Sequence, residues 1–92
     1  MSQLTGELRV RPGASRKLAG GIGFQASSGT EITLTNVSRK RVSAYLRWED
    51  GGVFRLTSGE STTVRGERVN RLVVESDSEA EAPCVLQVQG RP

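Results

Sequence analysis

Val42-Ser43-Ala44-Tyr45-Leu46-Arg47-Trp48 alternates apolar and polar side chains over seven consecutive positions, the pattern of a half-buried strand. Successive side chains of a strand point to opposite faces. A period of two therefore sends Val42, Ala44, Leu46 and Trp48 toward a core and Ser43, Tyr45 and Arg47 toward water. Cys84-Val85-Leu86-Gln87-Val88-Gln89 repeats the pattern near the other end of the chain, with Val85 the one exception. Sheets with one buried and one solvated face are antiparallel.

On either side of these two runs the chain is punctuated by turns. Glu49-Asp50-Gly51-Gly52 separates the first run from Val53, Phe54 and Leu56, a strong hairpin signal. Trp48 and Phe54 bracket that hairpin and are expected in its core. Upstream, Leu8 and Val10 alternate with Arg9 and Arg11 until Pro12-Gly13. Ile22, Phe24 and Ala26 share one parity and read as a strand, as do Ile32 and Leu34. Downstream come Ser61 to Val64 and then Val69 to Glu75, where Leu72 and Val74 share a face opposite Val73. About eight short strands at a spacing near ten residues, with no substantial helix, predict an all-β chain, a small antiparallel β-sandwich of jelly-roll or immunoglobulin-like type.

Asn36-Val37-Ser38 between two strands, and Gly59-Glu60-Ser61 opening a short one, resemble the turns of immunoglobulin-like and jelly-roll modules. The resemblance is to a style of β-sandwich and carries no functional residue with it. Residues 1–92 form one domain, because 92 residues support a single core. Within it, Gly13 to Gly23 loses all periodicity and contains the pair Gly20-Gly21. A flexible Gly-rich basic loop or arm is expected over about 12–23.

Composition narrows the chemistry. The chain has no histidine and one cysteine, so nucleophilic and metal-dependent mechanisms lose their usual residues. A serine or threonine nucleophile would have only Lys17 or Lys40 for a base, each among arginines. Asp77, Glu79 and Glu81 lack the glycine and the bidentate partner of a calcium loop and read as a solvated turn. Gly20-Gly21-Ile22-Gly23 opens no helix and lacks a following lysine, so a hinge or tight turn is the expectation rather than a phosphate cradle. Neither catalysis, a metal nor a cofactor is expected. Cys84, on the inward set with Leu86 and Val88, reads as a small buried hydrophobe.

No apolar run approaches a membrane span, and Met1 to Glu7 has no signal-peptide core, so the chain is expected to be made in the cytoplasm and to stay off membranes. Residues 1–48 carry eight cations against two anions and residues 49–92 five against eight, charges of +6 and −3 that sum to the net +3. Such a two-ended chain suits an oppositely charged partner or another copy of itself. These features point to a non-enzymatic assembly protein, with a virion component such as a bacteriophage capsid decoration protein as the concrete expectation. A protein scaffold and copies of itself, in a homo-oligomer such as a trimer, are the expected partners. Arg16, Lys17 and Leu18 on the arm, the cluster Arg39-Lys40-Arg41, and Tyr45 and Arg47 on the outward parity are the expected partner-binding residues. The alternatives are a small basic β-barrel that binds single-stranded nucleic acid, with Tyr45 as its one outward aromatic, and a protein-binding adaptor.

Overall fold

A computed structural model describes residues 4–23 and 25–91, with Leu4 described by its backbone alone. Phe24, read above as part of a strand, lies outside the described residues. The described residues form eight strands: β1 (Leu4–Val10), β2 (Ser15–Lys17), β3 (Glu31–Asn36), β4 (Ala44–Arg47), β5 (Val53–Leu56), β6 (Ser61–Arg65), β7 (Val73–Ser76) and β8 (Cys84–Arg91). They form two four-stranded sheets ordered β1-β8-β3-β6 and β2-β7-β4-β5, every pairing antiparallel. β1 lies on β8, β2 on β7, β3 on β6 and β4 on β5, the nesting of one long hairpin rolled over on itself. This topology is a jelly roll. The turn Glu49–Gly52 is the tip of that hairpin, and β4–β5 is its one pairing between strands adjacent in the chain.

Between the sheets the alternation closes into one aliphatic core. Leu8, Val10, Ile32, Leu34, Val64, Cys84, Leu86 and Val88 come from one sheet and Ala44, Leu46, Leu56 and Val74 from the other, all buried. Val42, Val69 and Leu72 fill the ends from connecting segments. Each large aliphatic side chain withdrawn from water contributes about 1.5–3 kcal/mol. The buried polar group that matters most is Asn36, at the end of β3. Its Nδ2 donates to the carbonyls of Val42 (2.8 Å) and Leu56 (2.9 Å). Its Oδ1 accepts from the Ser38 amide (3.1 Å) and hydroxyl (2.6 Å). Asn36-Val37-Ser38 is thus a turn whose first side chain reaches back into the core and ties the β3–β4 connection to β5.

Three expectations are corrected here. The segment 12–23 is not an arm. Ser15–Lys17 pairs with β7, and Leu18–Ile22 forms a short helix, α1, closed by Gly23 in a left-handed conformation (φ 70°). The Leu18 amide donates to the Leu72 carbonyl (3.0 Å), extending the β2–β7 pairing and burying the Leu18 side chain completely. Ile22 ends α1 instead of beginning a strand, and Ala26 is held outside any strand by Asn70, whose amide side chain bridges both the Ala26 N–H (2.6 Å) and carbonyl (2.9 Å). The glycine pair serves packing rather than freedom, because a Cβ on Gly21 would collide with the Leu8 side chain of β1. Finally, Val69 belongs to a 3-10 helix, Gly66–Arg71, started by the positive φ of Gly66 (77°). β7 therefore begins only at Val73.

Candidate functional site

The outer face of the β2-β7-β4-β5 sheet collects part of the sequence-derived set. Cross-strand register places Lys17, Val73, Arg47 and Val53 in one row and Ser15, Glu75, Tyr45 and Arg55 in the next. Lys17, Tyr45 and Arg47 thus share a face, with Arg47 paired to Glu75 at 3.1 Å. Arg16 points the other way and donates from Nη1 to the Arg9 carbonyl of β1 (3.1 Å), joining the two sheets at one edge. Leu18 is fully buried in the core rather than presented on the surface. Arg39, Lys40 and Arg41 are exposed on the β3–β4 connection, where Lys40 lies 3.3 Å from Glu81. That connection enters β4 at Ala44, whereas the Trp48–Gly52 turn leaves from its other end, so the basic cluster is separated from the hairpin tip by the length of the strand.

Folding also mixes the two charge halves. Lys40 with Glu81, Arg47 with Glu75, and Glu31 with Arg65 each join a residue of the first half to one of the second. All are exposed pairs worth about 0–1 kcal/mol each. The charge asymmetry of the sequence is to that extent neutralised on the surface.

β5 is a surface feature that the sequence reading missed. No strand pairs with its far side among the described residues, so the edge presents open backbone groups. Val53 is 56% and Phe54 48% exposed. Phe54 does have the inward parity of Leu56, but at the free edge no strand of its own sheet covers it. Beside it lies a cleft of about 430 Å³ between β5 and β6, lined by Leu46, Trp48, Val64 and Arg68. Trp48 is half-buried rather than in the core, and the Arg68 guanidinium lies 4.3 Å from its ring centroid. The contiguous apolar pair Val53-Phe54 was the available signal, since a strand period of two must send one of them outward. Nothing in the local sequence marked β5 as an edge.

Both ends of β5 are held. At the tip, the Trp48 amide donates to the Gly52 carbonyl (2.8 Å), the Gly52 amide to Asp50 Oδ1 (3.0 Å), and Gly51 takes φ 94°. At the other end Glu60 accepts from the Thr57 amide (2.7 Å) and from the Thr57 hydroxyl. Those two hydrogen bonds, the hydroxyl's first, hold the exposed Glu60 carboxyl below its ordinary range, with a smaller contribution from Arg55. An edge fixed at both ends is preorganised for pairing.

The described residues contain no group of three or more His, Cys, Asp or Glu placed to hold a metal ion, and no helix long and apolar enough to cross a membrane. No family model matches the sequence, and no significant match to a curated protein is found. Among solved structures the chain resembles a de novo designed double-stranded β-helix determined by solution NMR, with a TM-score of 0.63 at 16% identity over 95% of this chain and 97% of that one. It also aligns with the crystal structure of protein NMB1881 from Neisseria meningitidis, with a TM-score of 0.48 at 17% identity over 95% of this chain and 69% of that one. The likeness to the designed protein is one of fold: a double-stranded β-helix of the kind that the strand order already describes.

Proposed function

We propose that this chain is a non-enzymatic assembly module that acts through protein–protein contact, in the manner of a protein that decorates a larger shell such as a bacteriophage capsid. The observation that carries the reading is the contrast among its four sheet edges. Unprotected edges are normally blunted by charge, shortness or cover, because they recruit other chains. β2 has only three residues, Ser15-Arg16-Lys17; β1 carries Glu7 and Arg9 and packs against α1; β6, Ser61-Thr62-Thr63-Val64-Arg65, is unpaired on its far side like β5 but exposes no large apolar side chain. β5 alone reads Val53-Phe54-Arg55-Leu56 and exposes two large apolar side chains. An edge left open against that pattern suits a contact made for function. The shell setting rests on class-level analogy, jelly rolls recurring in capsid domains.

The test is fractionation of the native producer by size and density. The chain is expected in high-mass particles, and a Val53→Lys/Phe54→Glu variant in the light fractions with its fold intact by circular dichroism. A native chain that runs only as free protein of 9.9 kDa refutes the reading. A second reading, binding of single-stranded nucleic acid, is favoured by one observation, the placing of Tyr45 among Lys17, Arg47 and Arg55 on one sheet face. It requires an affinity for single strands that falls with salt and with Tyr45→Ala.

A further inference from the structure

We infer that the occupant of the β5 edge is a second copy of this chain, paired antiparallel about a two-fold axis that passes between the two Phe54 residues. This rests on the assembly reading and names the partner of its surface. In the β4–β5 ladder Leu46 is opposite Phe54, and Trp48 donates to Gly52, so the even-numbered residues of β5 turn their backbone groups toward β4. The N–H and C=O groups of Val53 and Arg55 therefore face the open edge. The Thr57 amide, next in that series, is already taken by Glu60. Four backbone groups are left, and a partner strand must match them.

Self-pairing permits few registers. Keeping both core faces on one side of a continuous sheet requires that each residue meet one of equal parity, because a slip by one reverses every side chain. Centring on Arg55 sets two guanidinium groups directly opposite one another. Centring on Val53 sets Arg55 against Gly51, a turn residue with φ 94° that cannot continue a ladder. Centring on Phe54 sets Val53 opposite the partner's Arg55 twice over and uses all four open groups. Phe54 then meets the partner's Phe54 at a non-hydrogen-bonded position, where facing side chains lie closest. The adjoining cleft of about 430 Å³ gives the two rings room between the barrels.

Two-fold pairing of one edge with itself closes at two copies, whereas the trimer expected from the sequence would pair β5 with a different edge, and β6, also unpaired on its far side, exposes no large apolar side chain to meet Val53 and Phe54. A four-residue edge covers less than the roughly 800 Å² per partner of a standard interface. The pairing is accordingly weak in dilute solution and gains strength when copies are held side by side on a common support.

The experiment combines sedimentation of the native chain over a concentration series with disulfide trapping in three variants, Val53→Cys, Phe54→Cys and Arg55→Cys, using the native chain with its buried Cys84 as control. The two Phe54 Cα atoms would lie about 4.5 Å apart, within disulfide reach, and the two Arg55 Cα atoms beyond about 7 Å, outside it. Phe54→Cys should therefore cross-link at least tenfold faster than either other variant alone, and a mixture of the Val53→Cys and Arg55→Cys chains should cross-link to each other. The native chain should shift toward dimer as concentration rises, and Phe54→Lys should stay monomeric with an unchanged melting curve. Cross-linking of Arg55→Cys as fast as Phe54→Cys, or a native chain monomeric throughout the series, overturns the inference. If the native chain is monomeric yet present in high-mass particles, self-pairing alone falls; if it is absent from particles too, the assembly reading falls with it.

Discussion

Replacing Asn36 with alanine is expected to damage this protein more than any surface change, and the structure allows the cost to be worked out. The side chain makes four hydrogen bonds, two donated to the Val42 and Leu56 carbonyls and two accepted from Ser38. A net worth of about 1 kcal/mol each gives about 4 kcal/mol. The half-buried Ser38 recovers part of this from water, which lowers the figure to about 3 kcal/mol. A chain of this length is held by about 5–14 kcal/mol in total, and each kcal/mol moves its melting point by roughly 4–8 °C. Asn36→Ala should thus melt roughly 12–24 °C below the native chain by circular dichroism or calorimetry. Asn36→Asp sharpens the test, because its carboxylate would face the same two carbonyls while buried, which raises its pKa. A raised carboxyl pKa costs stability as pH rises, so this variant should be weakest at neutral pH and recover partly on acidification, when the acid regains a proton to donate. A melting point for Asn36→Ala within about 3 °C of native would show that the network is dispensable and the reasoning wrong.

Trp48→Ala should cost about 2 kcal/mol in denaturant unfolding rather than the 3–5 kcal/mol of a fully buried ring, and Arg68→Ala about 0.5–1 kcal/mol for the lost ring contact. Changing Arg39, Lys40 and Arg41 together to Ser removes one exposed ion pair, Lys40 with Glu81, and should lower stability by no more than about 1 kcal/mol. Ser76 Oγ is buried with no hydrogen-bond partner among the described residues, so Ser76→Ala should raise stability by about 0.5–1 kcal/mol in the same assay. Burial pushes the Cys84 thiol up, outweighing the Ser38 hydroxyl that draws it down. The unfolded thiol then ionises first as pH rises, so the denaturation midpoint should fall above the ordinary thiol range, and Cys84→Ala should remove that part of the slope.

The amino-acid sequence by itself determined the class of the fold, the sides of its strands and much of its core. Leu8, Val10, Ile32, Leu34, Ala44, Leu46, Leu86 and Val88 are buried as their parity requires, because alternation is a local property that each strand carries in its own residues. The hairpin at Glu49–Gly52 was legible for the same reason: its turn residues and both flanking runs lie within a dozen positions. Pairing was not legible. Of the nested pairs, β4–β5 is local, while β1–β8 joins residues at the two ends of the chain, so the choice of a jelly roll over an immunoglobulin-like sandwich was left to contacts that no window of sequence contains. The same cause hid β2, whose three polar residues become a strand only because β7 offers them a ladder, and it buried Leu18, whose neighbours in the sequence show no periodicity. Edge position is likewise a property of the assembled sheet. Phe54 has the parity of a core residue and reaches solvent because tertiary structure puts no strand beyond β5 among the described residues, and the candidate interface exists for that reason.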